Sequence, residues 1–155
     1  MTPAVKLAEK HKIKFELHQY QHDPNSSSYG LEAAEKLNIA PTQVFKTLLA
    51  QLDNKELVVA VLPVCEQLNL KQIAKAAGAK KAAMANPADA ERSTGYLLGG
   101  VSPLAQKKRL KTFICHSANQ FQTMFVSGGR RGLEIELSPQ DLQKLTQAKF
   151  VALCD

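Results

Sequence analysis

Two apolar segments that lie close together in the sequence constrain the fold most strongly. Residues 44–50 (VFKTLLA) and 57–63 (LVVAVLP) are separated by a short polar segment with Asp53-Asn54, which predicts a β-hairpin. Both arms are apolar on both faces, as strands in the middle of a covered sheet are. The rest of the chain must therefore supply neighbouring strands and a layer over each face of the hairpin.

The remaining pattern predicts short helices and strands in an irregular order. N-cap residues or proline before helically spaced apolar residues predict helices, and alternation or short apolar runs predict strands. The predicted helices cover residues 2–11, 28–38, 70–77, 86–92 and 138–145, and the predicted strands cover 15–20, 44–50, 57–63, 112–115, 122–126, 133–137 and 150–153.

This order of elements indicates a fold class. Because strands and helices do not alternate regularly, we expect an α+β fold, a mixed β-barrel or strongly curved mixed sheet surrounded by short helices. A chain of 155 residues with 45% hydrophobic content is expected to form one domain over residues 1–155. The polar segment at residues 22–28 is expected to be its most mobile loop.

Several kinds of protein are disfavoured by what the sequence lacks. No apolar run approaches the roughly 18 residues needed to span a bilayer, and the first residues lack an apolar signal core, so we expect a cytoplasmic protein without membrane contact. The three cysteines form no CxxC pair, and the four histidines have no ligand-like spacing. HExxH, GxSxG and GxGxxG motifs are absent, so we expect no metal, no cofactor and no catalytic triad.

Lys46 is anomalous because it interrupts an otherwise apolar strand. Lysine is rarely buried without a reason. One interpretation is that its methylenes run along the strand and carry the ammonium to the surface. The other is that the ammonium projects into a cleft, where it can polarise a carbonyl or hold an anion.

Two glycine-rich loops follow. Residues 99–103 (GGVSP) can bring backbone N–H groups close to a ligand oxygen, although a plain turn explains the same residues. Residues 127–132 (SGGRRG) fit a hairpin turn with solvated arginines, and they lack the lysine and following helix of a phosphate-binding P-loop. Basic residues follow the first loop and lie within the second, and the net charge of +6 favours an anionic partner.

Four segments together resemble one known family. VFKTL at residues 44–48, RSTGY at 92–96, GGVSP at 99–103 and VSGGRRG at 126–132 are similar to the YbaK family, freestanding relatives of the editing domain of bacterial prolyl-tRNA synthetase. The likeness runs over essentially the whole chain and is greatest to the Cys-tRNA(Pro) deacylase branch.

The resemblance implies a mixed β-barrel surrounded by helices, with a pocket around the strand lysine. It implies catalytic roles for Lys46 and Gly99, with Arg92 and Glu134 as further neighbours of the pocket. The substrate-binding residues would be Tyr20, Phe45, Thr47, Gly100, Val101, Ser102, Pro103, Ser127, Gly128 and Gly129. The basic runs would supply the tRNA contacts, namely Lys107, Lys108, Arg109, Lys111, Arg130 and Arg131.

The implied function is hydrolysis of mischarged tRNA, chiefly Cys-tRNA(Pro), without a metal or another cofactor. The partners would be aminoacyl-tRNA and, transiently, prolyl-tRNA synthetase, with no role for DNA. The attacking group is either water or the thiol of the substrate cysteine, whose own carbonyl lies within reach. The alternatives are a non-catalytic tRNA-binding or synthetase-associated module, and the same fold acting on Ala-tRNA(Pro).

Overall fold

The computed structural model describes residues 1–26 and 28–155, so Ser27 of the predicted mobile loop lies outside the described residues. The described chain contains α-helices, β-strands and one 3₁₀ helix, His116–Gln120. The helices are α1 (Pro3–Lys10), α2 (Tyr29–Leu37), α3 (Leu70–Ala76), α4 (Pro87–Thr94) and α5 (Pro139–Thr146). The strands are β1 (Phe15–Gln19), β2 (Phe45–Leu52), β3 (Leu57–Pro63), β4 (Ala82–Met84), β5 (Lys111–Cys115), β6 (Met124–Ser127), β7 (Leu133–Leu137) and β8 (Lys149–Val151).

Four of the five helices begin at a side chain that caps them. Each capping oxygen accepts a hydrogen bond from a backbone N–H of the first turn, which satisfies a donor that the helix cannot pair itself. Proline follows at the first or second helical position in three of them. The capping residues are Thr2, Asn69, Asn86 and Ser138.

The predicted hairpin forms the middle of a five-stranded sheet with the order β4-β2-β3-β5-β8. Strands β2 and β3 are antiparallel, with Lys46 opposite Leu62, whereas β5 pairs in parallel with both β3 and β8. All residues of β3 after Leu57 are buried. The prediction that this hairpin is central is confirmed.

The second sheet has three antiparallel strands in the order β1-β7-β6. Ile135 lies in the main core and Leu17 packs against it, whereas the opposite face carries polar residues together with Phe125, which belongs to a second, smaller apolar cluster. Among the described residues, one isolated bridge, Val44 to Phe125, connects this sheet to the other. The mixed α+β class is thus confirmed, whereas the strands form two sheets and a closed barrel is not confirmed.

Two local features differ from the prediction. Strand β4 was missed, because three residues of an Ala-rich segment show no alternation, and it pairs with the edge of β2. The helix predicted over residues 28–38 forms, but burial within it does not follow hydrophobicity, since Leu31 is exposed and Glu32 is buried. Glu32 is stabilised inside because its carboxylate accepts hydrogen bonds from the His22 ring and the Asp23 N–H.

The segment between α4 and β5 has little regular structure but is firmly anchored. Leu104 is fully buried, and its carbonyl accepts a 2.6 Å hydrogen bond from the buried Tyr96 hydroxyl. Ser102, also fully buried, accepts the Leu104 N–H with its Oγ. These contacts hold the glycine loop before Ser102 in a defined place. No helix in the described ranges 1–26 and 28–155 is long and apolar enough to cross a membrane.

The anchoring predicts a difference between two leucines of this segment. Leu104→Ala should lower the free energy of unfolding by about 2–5 kcal/mol, because it leaves a cavity in the core. Leu97→Ala should change it by less than about 0.5 kcal/mol, since Leu97 is 76% exposed. Urea denaturation of both variants tests this, and equal losses would show that Leu104 does not anchor the segment.

Candidate active site

A pocket of about 390 Å³ lies where the two sheets meet, and five parts of the chain form its walls. The volume is in the range of pockets that hold small molecules. The walls are the end of β1, the start of α2, the start of β2, the loop before Val101 and the turn between β6 and β7. The lining residues are Tyr20, Ser28, Tyr29, Gly30, Leu31, Val44, Phe45, Lys46, Thr47, Leu48, Val64, Leu98, Gly99, Val101, Ser127, Arg131 and Glu134.

Lys46 lines this pocket and is half-buried. It is the second residue of β2, between the buried Phe45 and Thr47, so the strand fixes its position. Within residues 1–26 and 28–155, no carboxylate forms an ion pair with its ammonium. Lys46 therefore gives the lining of this pocket a cationic side chain that no carboxylate of the described residues pairs with.

The two glycine-rich loops contact each other beside the pocket. The Ser127 hydroxyl donates a 3.1 Å hydrogen bond to the Gly100 carbonyl and accepts one of 3.1 Å from the Gly129 N–H. A Cβ atom on Gly100 would lie only 2.8 Å from the Arg130 Cα, so the loops can approach this closely only with glycine there. The contact joins one wall of the pocket to another.

Gly99 has φ +88°, a conformation that favours glycine, and a Cβ atom there would lie 2.4 Å from the Arg131 Nε. The N–H of the next residue, Gly100, donates to the Leu97 carbonyl at 3.0 Å. The Gly100 N–H is therefore already used within the protein, so only one of the two glycine N–H groups is left as a donor for a ligand. The Gly99 N–H is the remaining candidate for a ligand oxygen.

Arg131 lines the pocket and contacts two of its walls. Its guanidinium carbon lies 3.7 Å from the centre of the Tyr29 ring, and Nη2 lies 3.4 Å from the Leu98 carbonyl. Nη1 lies 3.4 Å from His22 Nε2. Arg131 thus connects the start of α2 with the loop at Leu98, and because it is exposed, the predicted tRNA contact stays a prediction.

Glu134 is a buried carboxyl that lines the pocket from the second position of β7, opposite Ser127 on β6. Burial raises its pKa from 4.5 to about 8. Burial and then the nearby Glu134 also raise the pKa of Tyr20 to about 12. Glu134 is therefore mainly neutral at pH 7, and a cation that enters the pocket favours its ionised form.

Thr47 contributes a further polar group. Its Oγ1 is buried and has no hydrogen-bond partner within the described residues. Because a buried hydroxyl without a partner costs free energy, such groups call for an explanation. A ligand in the adjoining pocket would provide one.

Seven of the predicted catalytic and substrate-binding residues line the pocket, and five do not. The lining residues are Tyr20, Phe45, Lys46, Thr47, Gly99, Val101 and Ser127, and the others are Gly100, Ser102, Pro103, Gly128 and Gly129. Those five shape the loops instead: the Gly128 N–H, for example, donates to the Leu133 carbonyl at 2.8 Å. Arg92, a predicted neighbour, is exposed and paired with Asp89.

The predicted tRNA contacts are divided over the surface. Lys107, Lys108, Arg109 and Arg130 are exposed, and Lys111 lies 3.8 Å from the Glu56 carboxylate. Sequence reasoning missed the pocket contributions of Tyr29 and Leu98. The sequence did contain a signal for Leu98. Leu97 and Leu98 are apolar, they precede the glycines, and they belong to no helical or strand pattern, so burial in a helix or strand does not explain them.

One group of side chains outside the pocket has the composition of a metal site. Ligand atoms of Glu16, His18 and Glu136 lie within 4.8 Å of one another on strands β1 and β7. Protein groups already partner them, because His18 Nε2 lies 2.8 Å from Glu136 Oε1 and the Thr123 hydroxyl donates to Glu136 Oε2 at 2.6 Å. The group is paired across strands, so spacing along the sequence does not reveal it.

Comparison with known proteins gives consistent results. The family model described as "Aminoacyl-tRNA editing domain" matches residues 23–145. A protein of Enterococcus faecalis (strain ATCC 700802 / V583), named "Putative Cys-tRNA(Pro)/Cys-tRNA(Cys) deacylase EbsC", is 36% identical over 152 residues, 98% of this chain and 92% of the relative.

Solved structures show the same fold. The "Crystal structure of a putative trans-editing enzyme for prolyl tRNA synthetase" has a TM-score of 0.83 at 19% identity and covers 100% of this chain and 99% of its own. The "Crystal structure of hypothetical protein APE2540" has a TM-score of 0.85 at 22% identity, covering 97% and 99%. At these identities the likeness concerns the fold alone.

The raised pKa of Glu134 predicts how stability depends on pH. The folded state holds this proton up to about pH 8, whereas the unfolded chain loses it near 4.5, so its contribution to stability falls as pH rises through this window. Glu134→Gln should reduce this pH-dependent loss of stability. In the wild type the loss is at most about 1.4 kcal/mol for each unit by which folding raises the pKa. Urea midpoints between pH 5.5 and 8.5 measure it.

The exposed Glu35→Gln on α2 is the matched control and should retain the wild-type dependence. If Glu134→Gln also retained it, the Glu134 carboxyl would not be the group that titrates.

Proposed function

This chain belongs to the aminoacyl-tRNA editing domain family and is an aminoacyl-tRNA deacylase, and we propose that its chief substrate is Cys-tRNA(Pro). The observation that carries the proposal is the pocket lined by Lys46, which forms no ion pair among the described residues, together with Gly99 and Glu134. The 36% identical relative, named for deacylation of Cys-tRNA(Pro) and Cys-tRNA(Cys), supports the choice of amino acid.

Each polar group of the pocket fits one part of an aminoacyl ester. The carbonyl oxygen gains negative charge as the ester is attacked, and the Lys46 ammonium and the Gly99 N–H are suited to stabilise it. The α-ammonium of the amino acid is a cation, and Glu134 is the carboxyl in the pocket that can accept it. Binding of that cation lowers the raised pKa of Glu134 and turns a neutral acid into a partner.

Cysteine is a reasonable target on physical grounds. Cysteine and proline have similar bulk, and a methylene-sized difference in a synthetase pocket is worth only about 1–3 kcal/mol. That discrimination leaves charging errors, which a separate hydrolytic site removes. We propose that the chain meets its substrate in a transient complex with prolyl-tRNA synthetase.

We propose that the thiol of the substrate cysteine is the nucleophile. Its sulfur attacks the carbonyl carbon of its own ester, a C–S bond forms, and the bond to the ribose oxygen breaks as that oxygen takes the thiol proton. The products are deacylated tRNA and a cyclic thiolactone, which water then opens. A thiol held at this distance has a high effective molarity, so the protein needs only to position and polarise the ester.

Lys46 separates this proposal from a non-catalytic tRNA-binding module. A lysine that only holds phosphate does not need buried apolar neighbours, and Phe45 beside it is 2% exposed. The surroundings of Lys46 thus favour a role in chemistry. An Ala-tRNA(Pro) deacylase would use the same groups with water as the nucleophile, so the choice between cysteine and alanine depends on the substrate.

Removal of the Lys46 ammonium tests the catalytic proposal. Lys46→Ala should lower kcat for Cys-tRNA(Pro) at least 100-fold, because a preorganised cation beside the carbonyl is lost, while the unfolding midpoint stays near that of wild type. Lys46→Arg should not restore full activity, since a planar guanidinium does not match a compact ammonium. The exposed Lys80→Ala is the control. Wild-type turnover by Lys46→Ala would exclude the role.

A panel of charged tRNAs tests the function itself. In buffer with EDTA and without nucleotide, the protein should release cysteine from Cys-tRNA(Pro) far faster than serine, alanine or proline from the matching tRNAs. Serine is nearly isosteric with cysteine, but its hydroxyl is a much poorer nucleophile at neutral pH. Faster release of alanine would identify an Ala-tRNA(Pro) deacylase, and no release from any substrate would favour the binding module.

Blocking the substrate thiol tests the nucleophile. Methylation of the cysteine sulfur should abolish cleavage, and a rapid quench with mass spectrometry should detect the thiolactone formed from the unmodified substrate. Efficient cleavage of the S-methyl substrate would show that water attacks instead.

A further inference from the structure

We propose that a basic groove at the other end of strands β1 and β7 from the pocket binds the phosphate backbone of the tRNA acceptor arm. The proposal rests on the proposed function, because it concerns how the same substrate is held. The groove has a volume of about 840 Å³ and is larger than the pocket. Three segments form it: residues 11–14 after α1, residues 103–110, and residues 141–147 of α5 and the turn after it.

The groove is strongly positive. Five cationic side chains line it and are exposed, namely Lys12, Lys14, Lys108, Arg109 and Lys144, whereas Asp141 is its single carboxylate among the described residues. In the part of the chain described here, none of these five forms an ion pair. Their charge is directed to solvent or to a partner.

Stabilisation of the negative helix ends explains only some of these cations. Helices α1 and α5 end beside the groove, and cations stabilise the negative end of a helix. Two such ends supply about one negative charge together, and Asp141 supplies another. Five cations exceed this by about three charges, which leaves an excess for a polyanion.

The position of the groove indicates which polyanion it binds. The pocket lies beside Tyr20 and Glu134 and the groove beside Lys14 and Asp141, so the two are at opposite ends of the paired strands β1 and β7, which at five residues each are about 17 Å long. An RNA strand whose aminoacylated 3′ end occupies the pocket would run along these strands over about that distance to reach the groove. Among the described residues no Phe, Tyr or Trp lines the groove, so it lacks the large aromatic platforms on which bases stack and fits the backbone instead.

Salt-dependent binding of uncharged tRNA(Pro) tests the groove without any need for catalysis. The triple variant Lys12→Gln, Lys14→Gln and Lys144→Gln should bind more weakly and should reduce the slope of log K against log salt by about 3, one for each lost phosphate contact. The matched control removes the same charge elsewhere, with Lys71→Gln, Lys75→Gln and Lys80→Gln, all exposed and outside the groove. Equal slopes for the two variants would overturn the proposal.

A comparison of two substrates separates this proposal from the proposed function. For the groove variant, kcat/KM on full-length Cys-tRNA(Pro) should fall about tenfold, while kcat/KM on a short CCA trinucleotide carrying the cysteinyl ester should change less than twofold. An equal fall on both substrates would place the lysines in catalysis or folding and would overturn the groove. If wild-type protein cleaves neither substrate, the proposed function fails, and the binding measurement still decides the groove.

Discussion

The burial of strand β3 is the constraint on which the rest of the structure depends. Every residue of β3 after Leu57 is buried, so other elements must cover both of its faces and pair with both of its edges. Strand β2 covers one edge as the antiparallel arm of the hairpin, and β5 covers the other in parallel. The parallel pair requires a long crossover, and residues 64–110 supply it with α3, β4, α4 and the glycine loop. The loop that forms one wall of the pocket is therefore part of the connection that the central strand requires.

The crossover and the smaller sheet meet at the two glycine-rich loops. The Ser127 hydroxyl bonds the Gly100 carbonyl across them, and the backbone of Arg130 lies where a side chain on Gly100 would be. This contact sets the distance between Gly99 on one loop and Glu134 behind the other. The two walls belong to different sheets, so the geometry of the pocket follows from how the sheets pack.

Sequence analysis could predict what depends on local pattern. Lys46 was recognisable because it interrupts an apolar run, and the central hairpin was recognisable because both arms are continuously apolar. The burial of Glu32 instead of Leu31 was not predictable from helical spacing, since it depends on hydrogen bonds from the loop before α2. Arg131 fitted a solvated turn in the sequence, and only the packing of Tyr29 beneath it shows its place in the pocket lining.

Sequence analysis named Lys108 and Arg109 as tRNA contacts but could not predict the groove, because its cations come from distant segments; Lys14 and Lys108, for example, are more than 90 residues apart. Lys46 and the groove lysines also differ in what their charge does. A half-buried charge such as Lys46 acts at an effective dielectric constant near 20 and interacts about four times more strongly at a given distance than a charge in water. Exposed charges are screened within about 8 Å at physiological salt, so each contributes little and several must act on a polyanion together. Under the two proposals, Lys46 is the less solvated cation at the scissile ester, and several solvated cations hold the backbone of a long substrate. The segment from Gly99 to Leu110 lines both the pocket and the groove, so under these proposals it links the position of the ester to the position of the backbone.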